Sequence, residues 1–153
     1  MDTTPTRRLS AAMPGHLIRR LHQLSTQVFA QRMKEAGFDL TPVQFTALDA
    51  LRHNAGIDQA RLAEAVAKDR ATLGAVVDRL EQKGLIRREV SETDKRARVL
   101  ALTEKGAALV AAAEPVVTAL QAEILPGLDA GEYRQFIALA TKAAEAAGSL
   151  GDG

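Results

Sequence analysis

The chain has no cysteine and no tryptophan, and only one tyrosine and four phenylalanines among 153 residues. The absence of cysteine excludes disulfides, thiolate metal sites and every oxidant sensor that works through a thiol. With so few aromatics and an abundance of Ala and Leu, helix is favoured over sheet nearly everywhere. No run approaches the roughly 18 uninterrupted apolar residues of a membrane span. The start, MDTTPTRRLSAAMPG, lacks the apolar centre of a secretory signal, so a cytoplasmic protein without membrane contact is expected. Chemistry-bearing motifs are missing too. There is no HExxH, no paired metal-ligand spacing among His16, His22 and His53, no phosphate-cradling glycine loop and no nucleophile set beside a base. The sequence therefore reads as neither an enzyme nor a metalloprotein, and no cofactor is expected.

What is present is charge, unevenly spread. The net charge is only +1, but residues 68–98 carry nine Lys/Arg against six Asp/Glu, and residues 103–153 carry three against seven. A basic middle and an acidic tail suggest that one part meets an anionic partner and the other does not. The length suits one domain with a real core, or one subunit of an oligomer.

Punctuation along the chain divides it into helices and one hairpin. Pro14 suits a first helical turn, and Leu17, Leu21, Leu24 and Val28 form one apolar stripe running toward Glu35, with Gly37 ending that long helix. Thr41, Pro42 and Gln44 make a capping box for a second helix that ends near Asn54, with Val43, Leu48 and Leu51 inward. After a turn at Gly56, Asp58 caps a short helix, Gln59 to Val66. A break at Lys68 and Asp69 leads into a fourth helix with Leu73, Val76, Val77 and Leu80 on one face and Gly84 beyond its end. Two short helices joined so tightly outline a helix-turn-helix. Leu85 to Val90 and Arg98 to Leu102 are strands flanking SETDKRA, a hairpin whose long tip projects. Thr103 caps a fifth helix to about Leu125, in which Pro115 predicts a bend or a break. Asp129 and Glu132 open a sixth, Glu132 to about Ala147, followed by a frayed GSLGDG.

A helix-turn-helix followed by a charged hairpin gives the charge asymmetry a purpose. A helix fits the DNA major groove, and a projecting hairpin can reach the adjacent minor groove, where concentrated negative potential attracts arginine. Arg96 at the tip is the candidate for insertion, with Asp94 to orient it and Lys95 and Arg98 beside it. On the fourth helix, Arg70 and Thr72 occupy the first turn, Arg79 suits a phosphate contact, and Ala71, Gly74 and Ala75 keep the outward side slim. Gln59 and Arg61 are candidates for backbone contact from the third helix. A solvated amphipathic helix and an ordinary exposed loop account for the same residues, which leaves a helical protein-interaction module as the alternative.

The segments TPVQFTALDAL, LAEAVAKDRATLGAVVDRLEQKGLIRRE and DKRARVLALT, from Thr41 to Thr103, together resemble the winged helix-turn-helix core of the MarR (multiple antibiotic resistance regulator) family. Asp94, Arg96, Leu102 and Thr103 fit that family's wing signature, and the flanking long helices fit as well. The resemblance implies a mainly α fold with a small β-hairpin wing. The winged core, residues 37–103, would be flanked by dimerisation helices at residues 1–36 and 104–153. It further implies a homodimer on a pseudo-palindromic operator of double-stranded DNA, acting as a repressor released by a small molecule held between the first, second and fifth helices. The opening GHLIRRLHQ is similar to members that answer to aromatic acids or their coenzyme A thioesters. Candidate ligand contacts are therefore His16, Arg19 and Arg20 for a carboxylate or phenolate, with Phe45, Leu48 and Asp49 from the second helix. The alternative for His16 and Arg20 is a place at the dimer interface or in water.

Overall fold

The computed structural model describes residues 8–66, 70–93 and 98–150. A short 3-10 turn, Leu9–Ala12, leads into α1 (Pro14–Glu35) and α2 (Pro42–His53). Then follow β1 (Ile57–Asp58), α3 (Gln59–Ala65), α4 (Arg70–Gln82), β2 (Ile86–Val90), β3 (Arg98–Leu102), α5 (Glu104–Ile124) and α6 (Ala130–Leu150). The predicted starts and stops are present as bonds. Thr41 Oγ1 accepts from the Gln44 N–H at 3.2 Å while the Gln44 side chain accepts from the Thr41 N–H at 3.1 Å, so two orphan donors of α2 are satisfied at once. Gly37 and Gly84 take φ of 83° and 75°, the left-handed region that ends a helix without a Cβ clash.

Three expectations are corrected. A third strand exists: β1 pairs antiparallel with β3, Ile57 opposite Leu100 and Asp58 opposite Val99, giving the order β1-β3-β2. Two residues are too few to show alternation, and Asp58 is strand and helix cap at once, its carboxylate accepting from the Arg61 N–H at 2.8 Å. Pro115 does not break α5, which runs unbroken past an exposed ring. α6 continues to Leu150, three residues past its expected end, and the rest of the GSLGDG segment lies outside the described residues.

Two layers meet at one core. Leu62, Leu73, Val77, Leu80, Leu85 and Leu100 close the space between α3, α4 and the sheet, while Met33, Leu48, Val110 and Leu120 join α1, α2 and α5. Each fully buried aliphatic side chain contributes about 1.5–3 kcal/mol relative to exposure. Around Gly84 the winged part is bolted to α5: the Thr103 hydroxyl donates to the Gly84 carbonyl at 2.6 Å and accepts from the Gly106 N–H at 3.0 Å. Gly106 is required there, since a Cβ would lie 1.9 Å from the Leu85 carbonyl oxygen. Arg32 on α1 grips Glu123 on α5 with two hydrogen bonds, 2.7 and 2.9 Å, and Glu35 with a third, and these bonds raise its pKa well above the usual value.

α5 is long and apolar enough, by length and composition, to cross a membrane, with a mean hydropathy of 1.4. Here it is the strut on which α1 and α2 pack. α6 is different. Among its described side chains none is buried, and Ile137 and Leu139 are 47% and 66% exposed.

Candidate nucleic-acid interface and effector recess

α3 and α4 meet through Leu62, Ala63, Leu73 and Val77, all buried, so the opposite side of α4 is open. Ala71, Thr72, Ala75, Asp78, Arg79 and Gln82 are exposed on it. Thr72 and Arg79 lie about two turns apart on one face. Gly74 departs from its assigned role: it is half-buried, and the Gln59 carboxamide lies 3.4 Å from where its Cβ would be. Its slimness admits the first side chain of α3, not a groove, and Gln59 becomes a wedge between the two helices. Arg61, two residues on, is exposed. Arg70 opens α4, its side chain lying outside the described residues, and Asp94, Lys95 and Arg96, between β2 and β3 in sequence, lie outside them altogether. Arg98, exposed, starts the return strand opposite Val90.

The basic middle of the chain is less available than its count suggests. Arg88 on β2 donates to Asp78 at 2.6 Å and to Glu81 at 2.7 Å, both on α4, and the bond to Asp78 contributes most to raising its pKa. Arg87 pairs with Glu89 and donates to the Leu102 carbonyl at 3.1 Å. Lys83 holds Asp39, 3.3 Å from its carboxylate. Sequence counting could not separate these from free cations, because pairing is decided by tertiary placement. The Arg88 fork was missed entirely. It binds the wing to α4 and cancels two carboxylates that would otherwise face an anionic partner.

The candidate ligand contacts divide. His16 and Arg20, four apart on α1, do share a recess of about 390 Å³, together with Arg8, Ser10, Ala11 and Leu17. Arg19 is exposed and outside that lining. Phe45, Leu48 and Asp49 are not brought to it. Phe45 is half-buried against the core, Leu48 is fully buried, and Asp49 accepts from Arg52 at 2.6 Å. Arg52 reaches on to Glu114 of α5, also at 2.6 Å, leaving its Nε buried without a partner; the Glu114 bond is the main cause of its raised pKa. This chain of charges ties α2 to α5. A larger apolar groove, about 880 Å³, runs between α1 and α6, lined by Leu17, Ile18, Leu21, Phe136 and Ile137 among others. Among the described residues no group of three metal-ligating side chains occurs.

A helix-turn-helix carrying an antiparallel wing bolted to its second helix, between long flanking helices, defines a winged-helix DNA-binding transcriptional regulator. The chain belongs to the MarR family. The family's profile matches residues 38–97. The transcriptional regulator HosA of Escherichia coli O157:H7 is 35% identical over 127 residues, 83% of this chain and 91% of HosA. The HTH-type transcriptional repressor NicR of Pseudomonas putida is 36% identical over 118 residues, 77% of this chain and 73% of NicR. The structure of Bordetella bronchiseptica BpsR, solved to explain regulation of its DNA binding by 6-hydroxynicotinic acid, superposes with a TM-score of 0.83 at 29% identity, covering 91% of this chain and 97% of BpsR.

Proposed function

We propose that this protein is a homodimeric repressor in the cytoplasm, without catalytic activity of its own, that leaves its operator when a small aromatic acid binds. The observation that carries the dimer is α6, a helix with no buried side chain among those described, beside an apolar groove on α1. Exposed apolar surface of that extent marks an interface. Residues 1–36 and 104–153 would interlock with those of a second copy, and the winged core, residues 37–103, would meet DNA. Two-fold symmetry then sets α4 of each copy into successive major grooves, half-site centres about 34–36 Å apart.

In each half-site the slim strip of Ala71 and Ala75 lets the α4 backbone approach. Arg70, Thr72 and Arg79 contact phosphate or base edges, Arg61 meets the backbone while Gln59 spaces α3 from α4, and the wing enters the minor groove with Arg96, supported by Asp94, Lys95 and Arg98. An acid on His16 and Arg20 alters how α1 sits on α5. The Arg52 bridge passes that change from Glu114 to α2, and so to α3 and α4. BpsR, whose DNA binding is regulated by an aromatic acid, supports this choice of ligand class. NicR, a repressor by name, supports the direction of control. Fluorescence anisotropy on a duplex selected from random sequence tests the reading: single-ring aromatic acids should release bound protein. A broad panel of acids and their coenzyme A thioesters without effect would reject the ligand assignment.

A further inference from the structure

Two lysines converge on the C-terminal end of α4, where Gly84 turns the chain. Lys83, the residue after the helix, has only 19% of its side chain exposed, and its ammonium donates to the Asp39 carbonyl at 2.8 Å. The Asp39 carboxylate, 3.3 Å away, is 96% exposed, so the carbonyl is the anchor. It belongs to the loop between α1 and α2 and is pinned by its neighbours: the Phe38 N–H donates to the Met33 carbonyl at 2.8 Å, and Leu40 is buried. Lys105, near the start of α5, donates in turn to the Lys83 carbonyl at 3.0 Å. The end of α4 is thus tied to two other elements through one residue.

We propose that Lys83 and Lys105 are positioning residues for DNA binding, which set the tilt of α4 without touching the duplex. This rests on the reading that α4 enters the major groove, and not on the dimer or the acid. Leu73, Val77 and Leu80 are buried and hold α4 to the core, but apolar burial is non-directional, so directional bonds at the helix end select one seating among similar ones. The end of a helix carries partial negative charge, which strengthens the hold of both ammonium groups. Leverage makes the choice matter. The 13 residues of α4 span about 20 Å, so a tilt of about 5° at the Lys83 end moves the Arg70 end by about 1.7 Å, beyond the range of a hydrogen bond to a base edge. Because Asp39 follows α1, the tie is also a route from α1 to α4 that bypasses Arg52 and α2.

Anisotropy titrations of the full chain against a selected duplex and a scrambled one, each over a range of salt, test the assignment. Lys83→Met keeps the aliphatic stem and removes the ammonium. It should weaken the selected duplex by about three- to tenfold and leave the scrambled one unchanged, a loss of discrimination that a merely structural role would not produce. The slope of log affinity against log salt should stay as in wild type, and Lys83→Arg should recover part of the loss. Lys105→Met, at an exposed position where folding is not at stake, should show the same pattern with a smaller loss. Equal weakening on both duplexes, with a slope shallower by about one per chain, marks a phosphate contact and overturns the proposal. Unchanged affinity for the selected duplex in both methionine variants overturns it too, with the groove reading of α4 intact. Wild type that does not distinguish the two duplexes overturns that reading and the proposal with it.

Discussion

Gly106, Arg88 and Arg96 show how single side chains carry different parts of the account. At Gly106 the α5 backbone passes so close to Leu85 that a methyl group has no room. Gly106→Ala should cost about 1–3 kcal/mol in urea unfolding; an unchanged midpoint would mean that the packing of α5 on the Leu85 turn is looser than described. Arg88, which holds Asp78 and Glu81, should act on DNA binding by neutralising those carboxylates. Replacing it with Ala frees Asp78 and Glu81 beside the phosphates, so affinity should fall, and the triple change Arg88→Ala, Asp78→Asn, Glu81→Gln should restore most of it. If the triple variant stays as weak as the single one, Arg88 touches DNA directly. Arg96→Ala should weaken operator binding by about 1–3 kcal/mol, with the dimer intact. Asp129, the α6 cap, has its pKa lowered chiefly by the backbone N–H of Glu132. Its folded-state value lies below the unfolded one, so the stabilisation is present above the unfolded pKa and is lost as pH falls through the folded one. Asp129→Asn, which keeps the cap without the charge, should flatten that acid limb in a melting series.

Helix ends were readable in the sequence because each signal there is local. Thr41 with Gln44, Thr103, Asp129 with Glu132, and the glycines at 37 and 84 all act within four residues, and all reappear as bonds or positive φ. What escaped depends on residues far apart in the chain. β1 exists only because β3 lies beside it. Gly74 looked like groove clearance until Gln59, fifteen positions earlier, was seen to fill the space. Side-chain proximity was legible to the same degree: His16 and Arg20, four apart on α1, line one recess as their shared helical face implies, whereas Arg8, which lines it too, lies across a turn that no periodicity announces. α6 offers a prediction at this scale. Ile137→Glu puts a charge into its apolar face, and light scattering should then report 16.3 kDa in place of twice that mass.

For the whole molecule, the two halves make different demands on charge. The winged core retains Arg79 and Arg98 as exposed cations while pairing Arg87 and Arg88 internally, and residues 103–153 carry three Lys/Arg against seven Asp/Glu, a balance that repels a phosphate backbone. The proposed dimer would bring two such cores onto one duplex and leave the acidic part away from it. Sedimentation velocity of the protein with a labelled duplex carrying two half-sites one helical turn apart tests this most directly, because mass and binding are read together. The account predicts two chains per duplex at low salt, with the complex dissolving by orders of magnitude in affinity as ionic strength rises. One chain per duplex, or no complex at any ionic strength, would contradict it.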